Sequence, residues 1–195
     1  MPNWCQNAVE IRGEPALIRE LAARIVKTDD KGEPYFCFEG ICPMPQELNL
    51  VDAGNNPELS AAYERNLERF GAKNWYDWRL INWGTKWDAY ESYVSVSDDC
   101  IDLSFDTAWS PPEGIYSAIC AVYPTLSLRA DYFEEGCFFA GYYLGADGEL
   151  EDYPCEEDGV IDFACEVFGY DPTDFSDGEE EIVRNGQSSG CETPF

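Results

Sequence analysis

Apolar and polar positions alternate strictly over residues 4–11, with Cys5, Asn7, Val9 and Ile11 on one side and Trp4, Gln6, Ala8 and Glu10 on the other. A period of two marks a strand with one mainly apolar face. Gly13 ends it. Pro15 suits the first turn of a helix, in which Leu17, Ile18, Leu21, Ala22 and Ile25 recur at helical spacing and Arg19, Glu20, Arg24 and Lys27 take the opposite face. A polar turn over 28–32 leads to a second predicted strand, Pro34-Tyr35-Phe36-Cys37-Phe38, which Pro43 and Pro45 close.

Residues 43–90 read as an insertion. Asn56 is placed to cap a helix with Pro57 at its first position, Leu59, Tyr63, Leu67 and Phe70 on one face, and Gly71 as its stop. An aromatic stretch from Asn74 to Asp88 follows. The sheet pattern then resumes, with Tyr93, Val94 and Val96 and then Ile101, Leu103 and Phe105 flanking an Asp98-Asp99 turn. Ser110-Pro111-Pro112-Glu113 has capping-box spacing ahead of a helix through Ile115, Ala118, Ile119 and Val122, which Pro124 ends. Leu126, Leu128, Ala130 and Tyr132 alternate as a strand, Glu134-Glu135-Gly136 turns it, and residues 137–144 return antiparallel. A turn at 145–148 leads into a short edge strand near 149–153.

Without the insertion the order is β-α-β twice, with extra hairpin strands. This is the split βαβ, ferredoxin-like α+β arrangement: an antiparallel sheet with helices on one face. The expected organisation is a ferredoxin-like domain over 1–150 carrying the insertion 43–90, a short acidic helical extension over 151–170, and a flexible acidic tail over 171–195. Val160, Ile161, Ala164, Val167 and Phe168 supply the apolar stripe of the extension.

Charge changes this picture. The 195 residues include 39 acidic and 12 basic side chains and no histidine, for a net charge of −27. Affinity for nucleic-acid phosphates comes from lysine and arginine, so a basic groove for DNA or RNA is excluded, as is adsorption to an anionic membrane. Without histidine there is no Ser-His-Asp or Cys-His machinery and no His-ligated catalytic zinc. A content of 45% hydrophobic and 15% aromatic residues nonetheless requires a folded core. No apolar run approaches a membrane span, and Met1-Pro2-Asn3-Trp4-Cys5 lacks a basic or apolar leader pattern, so a soluble, cytoplasmic protein is expected. The charge is uneven: residues 1–129 hold 20 acids and 11 bases, and residues 130–195 hold 19 acids and one base. The nine cysteines are odd in number and contain no Cys-x-x-Cys, and several sit inside apolar runs, which points to buried free thiols.

Three segments, Met1-Pro2-Asn3-Trp4-Cys5-Gln6-Asn7, Asn82-Trp83-Gly84-Thr85-Lys86-Trp87-Asp88-Ala89 and Thr107-Ala108-Trp109-Ser110-Pro111-Pro112, resemble the YubB ferredoxin-like family, also called Api92-like. Glu135-Gly136 followed by Phe139-Ala140-Gly141 fits the same pattern. The resemblance extends over roughly residues 1–150 and implies a ferredoxin-like fold in a protein encoded by phages, plasmids and related mobile elements. It brings no defined activity.

Two groups of residues are candidates for function. The first is Trp83, Thr85, Lys86, Trp87 and Asp88 with Trp109, where an ammonium between two indoles could hold a ligand or peptide; the competing reading is that these tryptophans cap the sheet. The second is the acidic surface of Glu134, Glu135, Asp147, Glu149, Glu151, Asp152, Glu156, Glu157 and Asp158. Asp171, Asp174 and Asp177 lack the alternate-residue spacing of a calcium loop. A strongly negative field also raises thiol pKa values instead of activating a nucleophile. No catalytic residue, metal or cofactor is therefore expected. The expected function is a non-enzymatic mobile-element protein that mimics nucleic acid and inhibits a host defence nuclease or DNA-binding complex, of restriction or CRISPR type, through a basic surface on that partner. The alternative is a ligand- or peptide-binding sensor built on the Trp83–Trp87 motif.

Overall fold

The computed structural model describes residues 3–50 and 56–175. In chain order these form β1 (Trp4–Arg12), α1 (Pro15–Ile25), β2 (Val26–Thr28), β3 (Pro34–Phe36), α2 (Ser60–Phe70), α3 (Trp75–Trp83), β4 (Tyr90–Val96), β5 (Cys100–Ala108), α4 (Glu113–Val122), β6 (Ser127–Glu134), β7 (Phe139–Ala146), β8 (Glu149–Pro154) and α5 (Val160–Phe163). None of the described helices is long and apolar enough to cross a membrane.

The main sheet has the order β4-β5-β1-β6-β7-β8, antiparallel throughout. Its centre is β1, which pairs with β5 from Trp4↔Ala108 to Arg12↔Cys100 and with β6 from Cys5↔Glu134 to Arg12↔Ser127. The strands β6-β1-β5-β4 with α1 and α4 make the ferredoxin-like unit, and β7 and β8 extend it beyond β6. The alternation in β1 sets this register, because a one-residue slip would expose Val9 and Ile11 and bury Glu10. Val9 and Ile11 instead meet Leu103, Ile101, Ala130 and Leu128 on a face covered by Ile18, Leu21 and Ile25 of α1 and Ile115 and Ile119 of α4.

The strand expected over 34–38 is shorter than its pattern suggests and lies elsewhere. Only Pro34–Phe36 is extended, and it pairs with Val26–Thr28 in a separate two-stranded sheet. Phe36 and Phe38 are buried against Phe105, and the Phe36 and Phe38 N–H groups donate to Ser92 Oγ and Asp88 Oδ1. Those bonds pin the segment beside β4, which takes the place of the second strand of the unit.

The insertion begins and ends as its turn residues dictate. Asn56 accepts the Glu58 N–H, and Gly71 stops α2 at φ +72°. Asn74 Oδ1 accepts the Asp77 N–H at 3.0 Å and opens α3, which Gly84 ends at φ +85°. A Cβ at Gly84 would lie 3.1 Å from both Glu113 N and Pro111 O, so the end of α3 presses on the start of α4.

The C-terminal third is more ordered than a helical extension. The sheet runs to Pro154, so residues 151–154 belong to β8 and the helical part starts only at Glu157. Phe133 and Ala140, whose side chains leave the main core, join Val160 and Ala164 in a second core against Phe163, Phe168, Tyr170 and Phe175. One face of the sheet thus carries α1 and α4, while this segment covers part of the other. Residues 176–195 of the expected tail, including Asp177 and Glu179-Glu180-Glu181, lie outside the described residues. Seven described cysteines are free, whereas Cys137 is disulfide-bonded and departs from the free-thiol expectation.

Candidate functional site

The three tryptophan-containing segments converge at one end of the sheet, where buried polar atoms satisfy one another. Asn7 Nδ2 donates to Thr107 Oγ1 and to the Cys5 carbonyl, both at 2.9 Å, and the Tyr116 hydroxyl donates to Asn7 Oδ1 at 3.0 Å. Thr107 Oγ1 donates to the Ser110 carbonyl, Thr85 Oγ1 to the Ala108 carbonyl, and the Trp109 N–H to the Asn3 carbonyl. Ser110 does not cap α4 as its spacing suggested. The two prolines that follow redirect the chain, and its hydroxyl donates to the Gly84 carbonyl at 2.6 Å. A buried network this complete specifies one geometry for the seam.

Within the seam, the residues of the tryptophan motif part company. Trp83 is fully buried, its Nε1 donates to the Cys42 carbonyl at 2.9 Å, and the Arg79 guanidinium lies 4.4 Å from its ring centroid. Thr85 is buried in the network. Asp88 accepts the N–H groups of Phe38 and Ala89, and burial raises its carboxyl above the ordinary range. Trp83, Thr85 and Asp88 therefore build the fold and form no pocket. Lys86 stacks its ammonium 4.2 Å from the Trp87 ring centroid, and Trp87 adjoins Trp4, which stacks on Tyr90. Trp109 is 38% exposed and holds φ +74°, a left-handed conformation that bulky side chains rarely adopt.

Lys86 and Trp109 share a cleft of about 800 Å³ between the insertion and α4. Leu67, Tyr76 and Ile81 line one wall, Glu113 and Ser117 of α4 the other, and Tyr143 of β7 also reaches it. Ile81 and Tyr143 were not singled out in the sequence, and Leu67 was read only as part of a helix face. An isoleucine 67% exposed on a helix otherwise rich in buried tryptophan was the one available signal.

The acidic candidates divide as well. Glu134 is only 1% exposed, and its carboxylate accepts the N–H groups of Gly136 and Cys137 at 2.7 and 2.6 Å. It braces the β6–β7 turn and is not part of an acidic surface: the turn offers two inward N–H groups that need an acceptor. Glu135 beside it is exposed. Asp147 occupies the tip of the β7–β8 turn at φ +53°, Glu149 and Glu151 are exposed on β8, and Glu156, Glu157 and Asp158 are exposed on the turn that follows. Asp152 is exposed yet accepts the Tyr132 hydroxyl at 2.9 Å, which together with burial raises that hydroxyl's pKa. Since β8 is an edge strand, the sheet ends in a carboxylate fringe that no basic residue between 130 and 175 offsets. Such a fringe also prevents edge-to-edge pairing with another chain.

A further cluster lies across paired strands, where ligand atoms of Glu10, Cys100 and Asp102 fall within 4.8 Å of one another. Arg12 already engages it, 2.7 Å from Glu10. Burial and the Asp102 carboxylate push the Cys100 thiol up to about 11. Burial likewise raises Cys5, Cys37, Cys42, Cys120, Cys155 and Cys165, the opposite of what a nucleophilic thiolate requires.

Residues 82–172 match the family described as the ferredoxin-like domain in Api92-like protein, a stretch from the end of α3 past α5. The chain is 33% identical over 84 residues to the uncharacterized protein YubB of Escherichia coli (strain K12), which is 42% of this chain and 58% of that protein. It thus spans little more than half the length of that relative. The crystal structure of a protein api92 from Yersinia pseudotuberculosis is 12% identical, covers 80% of this chain and 99% of its own, and aligns with a TM-score of 0.45.

Proposed function

We propose, for a chain whose residues 82–172 carry the ferredoxin-like domain of Api92-like proteins, that it is a non-enzymatic binding module. Its acidic edge competes with nucleic acid for the basic surface of a host defence nuclease or DNA-binding complex, of restriction or CRISPR type. One observation carries the reading: Asp147, Glu149, Glu151, Asp152, Glu156, Glu157 and Asp158 are exposed along an ordered edge strand and its two flanking turns. Carboxylates held on a hydrogen-bonded strand lose little backbone entropy on docking, unlike the same charges on a floppy tail. Their summed field reaches a basic partner across solvent and steers association, and the effect falls steeply as salt rises. The network around Asn7 and Thr107 and the second core around Phe133 supply the rigid support.

The test uses the full chain as bait in host lysate at about 10 mM and about 500 mM salt, where the screening length shrinks from about 30 Å to a few ångströms. The expected result is a basic nucleic-acid-binding protein retained at low salt, released at high salt and displaced by duplex DNA. A bait carrying Glu149→Gln, Glu151→Gln, Glu156→Gln and Glu157→Gln should lose it. Retention that salt, DNA and the four substitutions leave unchanged contradicts the reading, as does the absence of any basic protein at low salt.

A further inference from the structure

We propose that the cleft between α2, α3 and α4 binds a small planar aromatic molecule carrying one hydrogen-bond donor. This site is separate from the acidic edge and does not depend on the reading given to it.

The argument starts at Tyr143. Its side chain is 5% exposed, lines the cleft, and has no hydrogen-bond partner among the described residues. The neighbouring tyrosines differ: Tyr116 donates to Asn7 and Tyr132 donates to Asp152. The Tyr143 hydroxyl is therefore open to a partner supplied from the cleft. Burial raises the Tyr143 pKa, which keeps the hydroxyl protonated and able to accept as well as donate.

The surroundings narrow the ligand. Leu67, Ile81 and Trp109 leave 49%, 67% and 38% of their surface open along the cleft, so the walls are apolar and partly aromatic. The volume of about 800 Å³ lies in the range of small-molecule sites. Trp109 is held there by its N–H bond to the Asn3 carbonyl, in a backbone conformation that costs free energy. Such strain concentrates where a side chain must be presented to a ligand. The charges that reach the Tyr143 hydroxyl are the carboxylates of Asp152 and Glu113. They favour a group that donates to the tyrosine oxygen, while Lys73 and Lys86 balance Asp77 and Glu113 along the cleft walls.

Naphthalene and 2-naphthol are suitable probes, titrated into the full chain with binding read from the Trp109 indole N–H resonance and by calorimetry. The expected result is that 2-naphthol binds about fivefold tighter than naphthalene, for one hydrogen bond. Tyr143→Phe, which keeps the ring, should erase the advantage of 2-naphthol and leave naphthalene unchanged. Ile81→Arg, at an exposed helix position, should abolish binding of both while thermal unfolding stays cooperative. Failure of 2-naphthol to bind the wild-type chain overturns the proposal. So does an advantage over naphthalene that survives in Tyr143→Phe, or binding that Ile81→Arg leaves intact.

Discussion

The helical insertion and the C-terminal third solve the same problem, one with balanced charge and the other with a large excess of acid. Residues 56–90 carry five acidic and five basic side chains, and residues 130–175 carry fourteen acidic and none basic. Both are nevertheless anchored by aromatic rings. In the insertion, Trp78 and Trp83 pack edge to face and Arg79 lies over both Trp75 and Trp83. In the C-terminal third, Phe133 contacts Phe168, Tyr170 and Phe175. The difference lies in what remains on the surface. The insertion leaves an apolar cleft with balanced charge, and the C-terminal third leaves a rigid edge of uncompensated carboxylates. Net charge is therefore a property of a surface that the aromatic cores hold in place.

The comparison breaks most sharply at Phe133. Replacing it by alanine should cost about 3–5 kcal/mol, a typical value for a buried phenylalanine. Hydrogen exchange should show residues 155–175 losing protection before β1 and β5. Uniform loss of protection across both regions would mean that the second core is not a separate unit. Next in size is Glu134→Gln, expected to cost about 1.5–3 kcal/mol because it weakens two charge-assisted bonds. Glu135→Gln should move Tm by less than about 2 °C, as surface substitutions do. Equal shifts for these adjacent positions would contradict the distinction between a bracing and a displayed carboxylate.

The central strands of the main sheet were legible in the sequence, because the alternation of Cys5, Asn7, Val9 and Ile11 is a local pattern with one solution, whereas β2 and the pairing of Pro34–Phe36 with it were not. Asn56 and Gly71 were legible for the same reason: a cap and a left-handed stop depend on their own turn. The candidate sites were legible only in part. Nothing near Glu134 distinguishes it from Glu135 until the turn brings two N–H groups inward. Trp83 and Trp87 lie one helical turn apart in the sequence, yet one is core and the other surface, because Phe38 and Cys42 arrive from a distant segment to enclose only Trp83. The cleft needs α3 seated against α4, so the role of Tyr143 emerges only from the assembled fold.

Smaller effects separate buried from displayed carboxylates within the two regions. The Asp88 carboxyl is raised above its ordinary value of 3.8, chiefly by burial. Its contribution to stability is fully present below about pH 3.8 and is lost as pH rises through the folded value. The Tm of Asp88→Asn relative to wild type should therefore improve steadily from pH 3 to pH 7. A difference that worsens over that range contradicts the assignment. The smallest effect is general: added salt should raise the Tm of the wild-type chain by relieving self-repulsion. It should do so less in the variant with Gln at positions 149, 151, 156 and 157.

That same variant gives the most direct measurement of the central claim. Its affinity for the basic partner captured at low salt should be compared with that of the wild-type chain over a salt series. The account predicts at least a tenfold loss at low salt, a shallower salt dependence and an unchanged fold. Equal affinities and equal salt slopes for the two chains would remove the acidic edge from the function of this protein.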